Sequence, residues 1–155
     1  MHLHKLLQSI TLLSSVLISP AKAEKLTAEE LLASRDSADM TYKQLMEVMG
    51  ESASMMHKGI LRQNKIMVKT GADFILNHPA PNHKPWDIVK KEEKKHFKQS
   101  LLTFDPILDK QTLAVVEEVE KGNWFKANKA LAKLNSSCIS CHVTWKHKVI
   151  KYPPL

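Results

Sequence analysis

The sequence predicts an all-α fold, an antiparallel four-helix bundle, on three observations. The chain has only four glycines among 155 residues, and long stretches consist of Ala, Leu, Lys, Glu and Met, which favour helices. Apolar residues recur at spacings of three and four, as on one face of a helix. Signals for the start of a helix occur at Thr27, Asn64, Asp105 and Asn123. The connections between long helical segments are mostly short, which indicates antiparallel neighbours.

The first bundle helix is predicted at about 39–61. Its apolar residues fall at spacings of four, three, four, three and four, which is one buried stripe: Tyr42, Met46, Met49, Ala53, Met56 and Ile60. Upstream, Thr27 and Glu30 have the spacing of a capping box, so another helix can begin there.

The second helix is predicted at about 65–77, with Asn64 as its N-cap and His78-Pro79 at its end. Its inner face carries Met67, Gly71, Phe74, Ile75 and His78. A loop with three prolines follows, and we expect Trp86 to anchor it against the bundle. Residues 87–99 are rich in lysine and predict a short helix within an exposed connection.

The third helix is predicted to begin at Asp105-Pro106, an N-cap followed by proline in the first turn, and to end at Gly122. Leu108, Leu113, Val115, Val116 and Val119 are its predicted apolar contacts. Asn123 is the predicted cap of the fourth helix. That helix is expected to carry Phe125, Leu131, Leu134, Cys138, Cys141 and Trp145 on its inner face.

Residues 1–23 have the pattern of a secretory signal peptide. A short basic start precedes an apolar run, and Ala21-Lys22-Ala23 matches an A-x-A cleavage pattern before Glu24. The run is shorter than the ~20 apolar residues of a membrane span. We therefore predict export to the periplasm and a single mature domain over 24–155, with no membrane-spanning segment.

The charge of the mature chain argues against nucleic acid as a partner. Cleavage removes Lys5 and Lys22 and lowers the formal charge from +7 to +5. The basic residues are interleaved with acidic ones, and an exported protein does not meet nucleic acid. The positive balance either serves solubility or steers an acidic redox partner protein.

One motif carries chemistry, the C-x-x-C-H sequence Cys138-Ile139-Ser140-Cys141-His142. It is typical of c-type haem attachment. Two thiols three residues apart share a helix face and can bond the two vinyl groups of one porphyrin, while the next residue offers an imidazole to the iron. These are the only cysteines in the chain.

Three other interpretations of the motif are weaker. It could occur by chance. A structural zinc site needs about four ligands, and this chain has no second cysteine pair. A thioredoxin-like redox pair lies near a βαβ pattern, and the sequence predicts no strands. Export and a helical fold both favour one covalent haem c.

With this motif near the end of its last helix, the chain resembles the class II c-type cytochromes, the cytochrome c′ family with its low-spin, methionine-ligated branch. The resemblance covers about 39–147, and only the haem motif is sharp. The family often has an aromatic residue and then Arg after the histidine, whereas this chain has Trp145 and Lys146. The resemblance implies a covalent haem on the last helix and allows a homodimer through the first two helices.

In low-spin members of that family, a methionine near the start of the first helix binds the iron. The segment Gln44-Leu45-Met46-Glu47 with Gly50 is similar, so Met46 is the first candidate for a distal ligand. Met49, Met40 and no methionine at all remain alternatives, because methionines at helical spacing also serve as core residues. Five further histidines are weaker candidates: His57, His78, His83, His96 and His147. His57 and His78 are expected near the turn between helices one and two, far from the haem.

These features predict a periplasmic one-electron carrier with iron held by His142 and Met46. The alternative is a five-coordinate cytochrome c′-like protein that binds nitric oxide or carbon monoxide. An enzyme is not expected, because peroxidase chemistry needs a distal His or Arg and the inner stripe of the first helix carries methionines and aliphatic residues.

Overall fold

The computed structural model describes residues 26–150, and within that range the protein is all-α. Five α-helices follow in order: α1 Ala28–Ala33, α2 Tyr42–Leu61, α3 Lys65–Leu76, α4 Lys94–Glu120 and α5 Trp124–Trp145. Short 3-10 helices lie at Pro85–Ile88, Lys91–Glu93 and Lys146–Lys148. The predicted fold class is therefore confirmed as all-α. The signal-peptide prediction for 1–23 falls outside the described residues.

The first three helices begin at capping side chains, of which the sequence predicts Thr27 and Asn64 but not Thr41. Thr27 forms a full capping box with Glu30 at the start of α1. Thr41 does the same with Gln44 at the start of α2, so the first long helix begins a few residues after the predicted position 39. Asn64 accepts from the backbone N–H of Met67 and caps α3 as expected. Each cap satisfies a backbone donor that the helix itself leaves unpaired.

The four long helices alternate in direction. Val68 of α3 packs on Gly59 of α2, and Gly71 lies against Ser52. Lys65 pairs with Glu120, the last residue of α4. The indole of Trp145 at the end of α5 donates to Ser100 near the start of α4 at 3.0 Å. The N-terminal half of α2 therefore lies at the same end of the molecule as the C-terminal half of α5.

Two apolar clusters hold these elements together. The larger draws on all four long helices and consists of Met56, Ile60, Val68, Ala72, Ile75, Val115, Val119, Ala127, Leu131 and Leu134. The smaller joins α1, the loop before α4, the start of α4 and the end of α5. It consists of Ala28, Trp86, Ile88, Val89, Phe97 and Trp145. Trp86 thus anchors its loop, as predicted. No helix among residues 26–150 has the length and apolarity to cross a membrane.

The prediction that a helix begins at Asp105-Pro106 is wrong. Helix α4 starts at Lys94 and continues through Pro106. Proline lacks the N–H that would bond to the carbonyl four residues earlier, which weakens a helix interior. The first turns of α4 are nevertheless held by tertiary packing, because Phe97 is buried and Leu101 packs against the smaller cluster. The Asp105 side chain pairs with Arg35 instead of capping a helix.

Two predicted core positions are also wrong. Phe125 is 91% exposed and Leu113 is 54% exposed. Trp124, one residue earlier, packs against the larger cluster and fills the role expected of Phe125. On α4, Val115 and Val119 are fully buried and Leu113 points away from them. Residues one or two positions apart do not share a helix face. The packing of Trp124 therefore turns Phe125 outward, and the burial of Val115 turns Leu113 outward.

Gly71 gives a test of the close approach of α2 and α3. A Cβ at this position would lie 2.5 Å from the Ser52 carbonyl oxygen and 2.9 Å from Met56 Cγ. We expect Gly71→Ala to lower the free energy of unfolding by about 1–3 kcal/mol, because the helices must separate to admit the methyl group. Denaturant unfolding of the full chain measures this effect.

Gly50→Ala is the matched control, since a Cβ there has no neighbour within 4 Å. It should leave stability unchanged or raise it by up to about 1 kcal/mol, the gain in helix propensity. Equal destabilisation by both variants would contradict the close contact at Gly71.

Candidate functional site

The C-x-x-C-H motif lies on α5 and faces a large cavity. Cys138 and Cys141 are half-buried free thiols, and His142 is exposed. All three line a cavity of about 640 Å³. Ligand and cofactor sites typically have volumes of about 300–1,000 Å³ and mostly apolar walls. The motif therefore meets a space of the size and character that a large apolar ligand needs.

The wall opposite α5 comes from the N-terminal half of α2. Met46 and Met49 are half-buried there and line the cavity, one helical turn apart. This half of α2 therefore faces the motif across the cavity. Met40 precedes α2 and does not line the described cavity. Other apolar walls come from Leu45, Ala53, Ile75, Trp86, Leu101, Phe104, Leu108 and Leu134.

The expected position of two histidines is wrong. His57 and His78 both line the cavity, where the sequence predicted them far from it. For His78 the reason is the reversal of direction between α2 and α3, which returns the end of α3 to the start of α2. His83 accepts a hydrogen bond from the backbone N–H of Tyr42 at 3.0 Å and caps α2. His96 and His147 are exposed and do not line it.

A charged cluster also opens onto the cavity, and the sequence did not predict it. Arg35 Nη2 donates to Asp105 Oδ1 at 2.8 Å. Arg35 Nη1 donates to the backbone oxygens of Leu76 at 3.4 Å and His78 at 3.3 Å. His78 Nε2 lies 3.6 Å from the same Asp105 oxygen. The three side chains retain only 15%, 20% and 16% exposure for Arg35, Asp105 and His78.

The environment shifts the two carboxyls of α4 in opposite directions. Burial tends to raise the pKa of Asp105, but the contact with His78 and the charge of Arg35 outweigh it, so this pKa lies below its ordinary value. One turn later, burial and repulsion from Asp105 raise the pKa of Asp109. The ionised form of Asp105 is therefore favoured by its contacts with His78 and Arg35. The ionised form of Asp109 is disfavoured by burial and by the charge of Asp105.

The surroundings of the two thiols favour their protonated form. Burial raises the pKa of Cys138 and of Cys141, and the neighbouring Cys138 raises that of Cys141 further. Burial also raises the pKa of the Tyr42 hydroxyl, with smaller contributions from Cys141 and Asp105. Tyr42, the motif and Asp105 all line the cavity.

Within residues 26–150, no three His, Cys, Asp or Glu side chains form a group that could hold a metal ion by themselves. Comparisons with protein-family models, curated proteins and solved structures give no match for this chain.

The pairing of Asp105 with Arg35 predicts a pH-dependent contribution to stability. The folded-state pKa of Asp105 is lowered, so its contribution is present above the unfolded pKa of about 3.9 and is lost as pH falls through the folded value. We expect Asp105→Asn to cost about 1–3 kcal/mol at neutral pH, because it leaves the guanidinium without its charged acceptor. The difference from wild type should shrink below about pH 4.

Asp109→Asn is the control, because its pKa is shifted the other way. This variant should be as stable as wild type or slightly more stable at neutral pH, since it removes an unfavourable charge beside Asp105. Chemical denaturation at pH 7 and pH 3.5 measures both effects. A pH-independent loss in Asp105→Asn would contradict the electrostatic explanation.

Proposed function

We propose that this protein is an exported, periplasmic c-type cytochrome, an antiparallel four-helix bundle with one haem c bound through Cys138, Cys141 and His142. The observation that carries the proposal is that both thiols and the imidazole of the motif line one large, mainly apolar cavity. The alternating directions of the four long helices support a bundle of the class II cytochrome type. A covalent porphyrin would fill the space between α2 and α5.

The thiols fit the attachment chemistry. In each thioether bond, the Cys138 or Cys141 sulfur adds to one carbon of a vinyl group and the thiol proton goes to the other carbon, so no leaving group forms. The spacing i, i+3 puts both sulfurs on the cavity side of α5, and His142 follows at i+4. His142 would bind iron from this side.

Met46 is the proposed distal ligand, and Met49 is the second candidate. Both sulfur-bearing side chains come from the α2 wall of the cavity that faces the motif. A haem with one histidine and one methionine ligand cycles between ferrous and ferric iron, and the methionine favours the ferrous form and raises the reduction potential. Around it, the apolar side chains of α2, α4 and α5 would exclude water and limit rearrangement on electron transfer. The protein would thus exchange single electrons with redox partner proteins.

Gas binding is the second candidate function. The cavity has a volume of about 640 Å³, and Met46 and Met49 on its wall are only half-buried. If neither sulfur binds iron, nitric oxide or carbon monoxide would enter beside them. In both cases we propose no catalytic reaction. Arg35 and His78 do reach the cavity, but Arg35 is held by Asp105 and backbone carbonyls, and His78 Nδ1 lies 3.1 Å from the Pro79 oxygen.

Covalent attachment gives the first test. The full chain, produced in a host that matures c-type cytochromes, should be coloured and should keep its pigment after acidified acetone. Replacing both thiols, Cys138→Ala with Cys141→Ala, should make the pigment extractable, because no thioether bond remains. Ser140→Ala changes a residue within the motif and leaves Cys138, Cys141 and His142 in place, so it should behave as wild type. A colourless wild-type chain would refute the proposed function.

The distal ligand gives the second test. Wild type should show a low-spin spectrum that carbon monoxide does not change, and Met46→Ala should become high-spin and bind carbon monoxide when reduced. Met55→Ala is the control on α2, since Met55 is exposed and does not line the cavity. If only Met49→Ala changes the spectrum, Met49 is the ligand. A wild type that binds carbon monoxide rapidly selects the gas-binding function.

A further inference from the structure

Arg35 has an unusual position among the cations of this protein. In the part of the chain that the structure describes, it is the only Lys or Arg side chain that lines the cavity. Lysines are abundant elsewhere, and Arg62, the other arginine of the sequence, is exposed at the C-terminal end of α2. A largely buried guanidinium in an apolar wall is costly unless anionic groups and hydrogen-bond acceptors surround it.

The guanidinium is fixed in place but not saturated. Three acceptors hold it: the carbonyl of Leu76 at the end of α3, the carbonyl of His78 just after α3, and Asp105 Oδ1 on α4. A guanidinium has five N–H donors in a planar fork. The described residues accept three hydrogen bonds from it, fewer than its five N–H groups can donate, so donor capacity is left for a ligand in the cavity that Arg35 lines. A carboxylate is the group that such a fork binds best.

The proposed haem supplies carboxylates in this space. Its two vinyl groups would be bonded to Cys138 and Cys141, which puts one porphyrin edge against α5. The propionates extend from another edge, and their negative charge is unfavourable next to apolar walls unless a cation is near. Arg35 enters the cavity from the segment between α1 and α2, an element different from the one that carries the thiols.

We propose that Arg35 is the propionate-binding residue of the cavity, with Asp105 and the carbonyls of Leu76 and His78 as the groups that position its guanidinium. This inference rests on the proposed function, because it concerns the haem of that same site. It assigns to the segment before α2 a role in orienting the porphyrin that the C-x-x-C-H motif alone does not provide. The competing explanation is that Arg35 only holds this segment against α3 and α4 and binds no ligand.

Reversible porphyrin binding separates the two explanations. The full chain with Cys138→Ala and Cys141→Ala keeps His142 and can bind haem without thioether bonds. It is titrated with haem and with haem dimethyl ester, whose propionates carry no charge. With Arg35 present, we expect the ester to bind about 10- to 100-fold more weakly, the usual effect of losing a charged hydrogen bond.

Arg35→Gln in the same background should weaken haem binding and bring haem and its ester to within about threefold of each other. Arg62→Gln is the matched control and should preserve the full preference for haem. If Arg35→Gln weakens both porphyrins equally and the preference persists, Arg35 is only a structural staple and the inference is overturned. Circular dichroism checks that each variant is folded. If Arg35→Gln unfolds, Arg35→Lys is used in its place, because lysine keeps the positive charge but lacks the planar fork of donors.

A second readout uses the covalently loaded full chain. Infrared difference spectra between its reduced and oxidised forms report propionate carboxylates, and these bands should shift in Arg35→Gln but not in Arg62→Gln. Unshifted bands in both variants overturn the inference while leaving the cytochrome intact. A chain that carries no haem at all refutes the proposed function itself, so the two failures are distinguishable.

Discussion

The alternating direction of the long helices is the constraint on which the site depends. The close approach of α2 and α3 at Gly59 and Gly71 returns the end of α3 to the start of α2. The next two reversals bring the C-terminal half of α5 beside the N-terminal half of α2. Without this order, Met46 and the thiols of Cys138 and Cys141 would not share one cavity. The buried cluster around Met56 and Leu131 helps to maintain this order by apolar packing.

The cavity combines two opposed physical requirements. Its walls are mainly apolar, which would suit a porphyrin but makes any isolated charge costly. The charged cluster is tolerated because Arg35 and Asp105 neutralise each other, and because two backbone carbonyls accept further hydrogen bonds from the guanidinium. The lowered pKa of Asp105 follows from the same arrangement and keeps the pair ionised. In the proposed cytochrome, this combination would orient the haem within an otherwise apolar space.

Local patterns predicted much of the fold. Thr27 and Asn64 begin helices as expected because a capping side chain and the backbone donors it accepts from are only a few residues apart. Pro106 shows where such patterns are insufficient. Its local preference for a helix start was overridden, because Phe97 and its neighbours gain more by packing in a helix that extends through the proline. Phe125 failed for a related reason, since Trp124 occupied the inward direction.

By itself, the sequence determined the chemistry-bearing motif and its spacing, because Cys138, Cys141 and His142 are neighbours on one helix and their relation is local. It also determined that α2 would present a methionine-rich stripe. Only the tertiary structure decided that Arg35, His78 and Asp105 meet at the cavity. Arg35 is separated from the other two by 43 and 70 residues, and no local pattern records that distance. Their meeting follows from the packing of α3 and α4, which depends on the whole buried core at once.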